Sequence, residues 1–133
     1  MNKEEKELLN KLLCAMFPYG VICSVVHKKD GRLVEEDMKL SGMFEDGNFY
    51  FTDEMGSTYS DNYIPYLRSL ESMTEEERAE YFLLKHRDKD RVDNIFLIDE
   101  AFALINWLNK KCFDYRGLIE KELALEAPEG MYN

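Results

Sequence analysis

A chain of 133 residues, 45% of them apolar and 13% aromatic, can bury about two thirds of its unfolded surface in one core without a metal or disulfide staple. Its 27 acidic against 17 basic residues leave a net charge of −10, which excludes nucleic acid as a partner, because counterion release from a phosphate backbone needs clustered Lys and Arg. No apolar run approaches the ~20 residues of a membrane span, and MNKEEKELLNKLL reads as an amphipathic helix rather than a signal peptide, so a soluble cytoplasmic protein without membrane contact is expected.

In chain order, residues 3–17 place Leu8, Leu9, Leu12, Leu13, Ala15 and Met16 at helical spacing, with Lys and Glu between them. Phe17-Pro18-Tyr19-Gly20 ends this helix, since the residue before proline is pushed out of the helical region. Val21–Lys28 is rich in β-branched residues, and Asp30-Gly31 supplies the pair that favours a tight hairpin. The return strand falls within Arg32–Phe44; its second half alternates, while Glu35-Glu36-Asp37 predicts a bulge or break. Glu45-Asp46-Gly47-Asn48 gives a second turn before a short strand at Phe49–Thr52, so a three-stranded antiparallel meander is expected. Asp53–Asn62 has turn chemistry and no periodicity, which predicts a loop.

Tyr63–Leu67 is a compact apolar segment, extended before Pro65 and helical after it. Thr74-Glu75-Glu76-Glu77 is a capping box that starts a helix running to about residue 86. His86–Asp93 is a charged connection, and Ile95–Ile98 is an apolar run that periodicity assigns to neither strand nor helix. The stretch from Ile98 to Pro128 holds the single Trp and the longest apolar periodicity: Ala101, Leu104, Ile105, Leu108 and Cys112, widened by Phe102 and Trp107, which places Phe102, Leu104, Ile105 and Leu108 in the core. Phe113–Gly117 then forms a turn, Leu118 and Ile119 begin a short helix, and Pro128 ends regular structure. The expected architecture is one α+β domain over residues 1–133, with an N-terminal helix, a small antiparallel meander and a helical C-terminal half packed on the sheet.

Chemistry-bearing patterns are sparse. Asp88, Asp90 and Asp93 partly imitate a calcium loop, but its sixth position is Asp93 instead of Gly and its twelfth is Asp99 instead of Glu. Cys14, Cys23 and Cys112 are scattered without a C-x-x-C pair; Cys14 and Cys112 fall on apolar stripes and read as buried thiols, so no disulfide, metal or cofactor is expected. Cys23 and His27 on one strand lie ~13 Å apart, beyond hydrogen-bond reach. Without a catalytic motif, an enzyme is not expected. Acidity concentrates between residues 32 and 62, where eight acidic residues meet two basic ones, making Glu35, Glu36, Asp37, Glu45, Asp46, Asp53 and Glu54 a candidate acidic surface. Trp107, Tyr115, Arg116, Tyr63, Tyr66 and Arg68 are candidate partner-binding residues, because Trp, Tyr and Arg are enriched at hot spots.

Three stretches occur together: Phe17-Pro18-Tyr19-Gly20, the run YLRSLESMTEEE from Tyr66 to Glu77, and Asn106-Trp107-Leu108-Asn109 leading into FDYRGLI (Phe113–Ile119) and LALEAPEGMY (Leu123–Tyr132). On these the chain resembles an uncharacterised family of short gut-bacterial proteins associated with prophage-like or mobile regions. The resemblance covers most of the chain outside residues 24–62 and implies no activity, cofactor or catalytic residue. The functional expectation is a non-enzymatic intracellular accessory protein that binds another protein, with homo-oligomer formation open. The alternative is an acidic inhibitor or DNA mimic encoded on a mobile element.

Overall fold

A computed structural model of the chain describes residues 2–43, 48–86 and 94–132, with backbone alone for 94–100. The first helix, α1 (Lys3–Met16), is held at its start by a capping box: the Asn2 side chain accepts the Glu5 amide at 2.8 Å, and the Glu5 carboxylate accepts the Asn2 amide at 3.3 Å. Its inward stripe is Leu9, Leu12, Leu13 and Met16. A short 3-10 turn over Phe17–Tyr19 follows, and Gly20, at φ +79°, redirects the chain into the sheet.

Strands β1 (Ile22–Lys29) and β2 (Arg32–Met43) pair antiparallel across Asp30 and Gly31, whose φ values of 53° and 78° give the left-handed pair that a two-residue hairpin requires. The break expected at Glu35–Asp37 does not occur. That stretch stays in register with β1 because Glu35 and Asp37 point to one face of the sheet and Glu36 to the other, where His27 and Lys29 meet it. The irregularity falls instead between Leu40 and Gly42, opposite β3 (Phe49–Asp53). Glycine lets Tyr50 lie close there, since a Cβ on Gly42 would come 2.5 Å from its ring and oblige the ring to shift. The turn expected at 44–47 lies outside the described residues.

The loop expected over 53–62 contains a further strand, β4 (Gly56–Tyr59), paired with β3 through a two-residue turn, so the meander has four strands rather than three. The four residues alternate no apolar and polar groups, and the ladder to Tyr50–Asp53 supplies the order that periodicity could not signal. The next strand, β5 (Tyr63–Leu67), runs straight through Pro65 rather than turning helical after it, and pairs antiparallel with β1. The Val26 amide donates to the Asn62 carbonyl at 2.9 Å, which makes the Cys23–Pro65 pair a non-hydrogen-bonded one, where the missing proline N–H costs nothing. A two-residue parallel strand, β6 (Leu125–Glu126), completes the order β4-β3-β2-β1-β5-β6.

Two helices come between β5 and β6. Helix α2 (Glu75–Lys85) begins at the expected capping box: Thr74 Oγ accepts the Glu77 amide at 3.1 Å and Glu77 accepts the Thr74 amide at 3.0 Å. Helix α3 (Asn94–Lys110) takes in the undecided run 95–98. It stops where Cys112 adopts φ +57°. The short helix expected from Leu118 is replaced by turns, because the Asp114 carboxylate accepts the amides of Leu118 at 2.8 Å and Ile119 at 2.9 Å and holds the chain in a cap instead of letting it propagate.

The main core lies between α1 and the sheet face carrying Cys23, Val25, Met38, Leu40, Phe49 and Phe51, and is closed by Leu118, Leu123 and Ala124 from the C-terminal chain. In a flat sheet β3 and β5 would sit about 14 Å apart. The Tyr63 ring on β5 nevertheless meets Phe51 at 5.3 Å and Phe49 at 5.7 Å, so the meander curls over its own core. At its far end β5 leaves β1. The Tyr132 hydroxyl fills the gap, accepting the Ile22 amide at 2.8 Å and donating to the Tyr66 carbonyl at 2.6 Å. Removing that hydroxyl strands two backbone groups, so Tyr132→Phe is expected to lower stability by about 1–3 kcal/mol. Urea unfolding measures this, and a midpoint equal to wild type would show that the bridge contributes nothing.

Candidate functional site

The sequence-predicted aromatic and arginine residues are largely absorbed into the fold. Arg68, just past β5, donates from Nη1 to Glu77 Oε2 at 2.8 Å and from Nη2 to Oε1 at 2.6 Å, a two-pronged pair that joins β5 to α2. Its guanidinium lies 4.2 Å above the centre of the fully buried Phe113 ring, which stacks on Trp107 at 5.6 Å. Trp107 donates its indole N–H to Glu80 at 2.8 Å and lies beside Tyr81 at 6.2 Å. Lys111 approaches Glu77 at 3.5 Å. The bond from Arg68, reinforced by the Thr74 amide and the charges of Arg68 and Lys111, holds the Glu77 carboxyl at about 2, well below its ordinary 4.5, against the opposing effect of its burial.

The remaining candidates are dispersed. Tyr63 packs into the core, where burial above all pushes its phenol up to about 12. Tyr115 donates to Asn109 at 2.7 Å, and only Arg116 among the six is exposed, lying 5.5 Å from the Tyr115 ring. Tyr66 joins part of the acidic set: its hydroxyl donates to Asp37 at 2.8 Å, which raises its pKa, while Ser24 donates to Glu35 at 2.8 Å on the same outer sheet face. Glu36 faces the other way, 3.4 Å from His27 and 3.3 Å from Lys29. Asp53 accepts the Met55 amide at 2.7 Å in the β3–β4 turn, and Glu54 is exposed beside it. Glu45 and Asp46, like Asp88, Asp90 and Asp93, lie outside the described residues. The described carboxylates thus divide between two faces and a turn instead of forming one stripe.

Cysteine placement departs from expectation at one position. Cys14, expected on the buried stripe of α1, is exposed, because Leu9, Leu12, Leu13 and Met16 already fill the inward face. Cys23 and Cys112 are buried; burial, then the proximity of Cys112, raises the Cys23 thiol, and burial pushes Cys112 up to about 12. Such thiols carry almost no thiolate at neutral pH. His27 contacts Glu36 across the β1–β2 ladder and stands opposite Val34. Among the described residues no group of three or more His, Cys, Asp or Glu could hold a metal ion, and no helix is long and apolar enough to cross a membrane.

Several large apolar side chains of the two helices are left exposed. Phe102 and Ile105 of α3, expected in the core, are 60% and 42% exposed, and on α2 Phe82 and Leu83 are 61% and 67% exposed. Leu104 is half-buried and Leu108 buried, so the inward stripe of α3 is narrower than its composition predicts. The Glu77–Lys111 and Tyr81–Trp107 contacts fix the two helices antiparallel, which brings Leu83 level with Ile105 and leaves Phe102 about one turn further along. All four lie beyond the Tyr81–Trp107 contact, on the side of the hairpin remote from Arg68 and Phe113. The sequence carried a sign of this. Tyr81-Phe82-Leu83-Leu84 is an unbroken apolar run on a helix, and successive residues 100° apart cannot all face one neighbour.

No protein family, curated protein or solved structure matches the chain.

Two outcomes follow from this chemistry. A membrane-impermeant thiol reagent should modify one of the three cysteines, Cys14, in the native protein and all three only after unfolding; rapid modification of Cys23 or Cys112 under native conditions would contradict their burial. Because the folded pKa of Glu77 is depressed, its contribution to stability is complete above about pH 4.5 and is lost as pH falls toward about 2. Unfolding midpoints measured across that window should drop more steeply for wild type than for Glu77→Gln, and parallel curves would remove the ion pair from the acid response.

Proposed function

We propose that this protein is a non-enzymatic intracellular accessory protein that docks another protein on the exposed end of the α2/α3 hairpin. The observation that carries this reading is the exposure on these two paired helices of four large apolar side chains, Phe82, Leu83, Phe102 and Ile105. Exposed Phe and aliphatic side chains on adjoining helices have the composition of an interface core. The rest of the chemistry supports the same reading: Arg68, Glu77 and Trp107 are bound to each other or to neighbours, and the buried thiols are kept protonated. The aromatic and ionic joint beneath the hairpin gives the patch a rigid base, which limits the ordering cost of binding.

Two double variants test it, Phe82→Ser with Leu83→Ser and Phe102→Ser with Ile105→Ser. Each should lower the thermal midpoint only modestly and leave the protein folded, since the removed groups are 42–67% exposed. Each should also weaken binding of the partner recovered by cross-linking with wild type by about 2 kcal/mol or more, roughly 30-fold in affinity. Light scattering on the same samples separates a foreign partner from a second copy of the chain. Equal recovery of the same partner by wild type and both variants would place the interface elsewhere and overturn the proposal.

A further inference from the structure

We draw no further inference here: the strongest candidate, the apolar crevice of about 440 Å³ between the end of α1 and the bulged end of β2, lined among others by Cys14, Phe17, Met43 and Phe49, is an open groove and nothing in the structure shows what covers it.

Discussion

A strand that leaves its ladder exposes backbone donors and acceptors that must be paired again, and this requirement at the far end of β5 organises the C-terminal half of the protein. Between Tyr63 and Pro65, β5 belongs to the meander. From Tyr66 onward it is flanked by chain that follows α3. The Arg68 amide donates to the Cys112 carbonyl and the Asp114 amide to the Arg68 carbonyl, both at 2.8 Å, and the Ala127 amide reaches the Leu67 carbonyl at 2.8 Å. The Tyr132 hydroxyl closes the wedge between β1 and β5. These bonds fix where α3 must end, where β6 must lie and why residues after 110 wrap the sheet instead of continuing as helix.

The same strand end positions the helical hairpin. Arg68 is carried into the space between α2 and the Phe113 turn, where Glu77 neutralises it and Phe113 shields it. A charge taken from water is tolerated only when such partners are complete, so the ion pair and the ring stack tie the orientation of α2 to that of β5. Packing is then satisfied at one end of the hairpin by Met73, Leu108 and Phe113. The other end extends past this small cluster; Phe82 meets the His86 ring at 4.5 Å, and Phe82, Leu83, Phe102 and Ile105 all stay largely exposed. The proposed docking surface consists of the apolar side chains that these contacts leave exposed.

Features coded by neighbouring residues were legible. The Thr74–Glu77 capping box marks the start of α2, and Asp30-Gly31 marks the first hairpin, because each depends on contacts or dihedral angles within four residues. Features coded by distant pairing were not. Gly56–Tyr59 is a strand only because Tyr50–Asp53 lies beside it, and Glu35–Asp37 stays extended only because β1 sorts its charges between two faces. The candidate residues show the same division. Trp107, Tyr115, Tyr66 and Arg68 were distinguishable by type, but residue type does not reveal that Glu80, Asn109, Asp37 and Glu77 occupy their polar atoms.

By itself the sequence determined an α+β chain with an amphipathic first helix, a β-rich middle and a strongly apolar helix in its second half, since composition and period act locally. Only the tertiary structure decided which side of that last helix is covered. Its apolar stripe wraps most of the circumference, and burial depends on how many neighbours reach it: Leu108 packs with Phe113 and Met73, whereas Phe102 and Ile105 stay 60% and 42% exposed. An apolar residue records a preference for burial; the fold sets whether this chain or a partner supplies the surface that satisfies it.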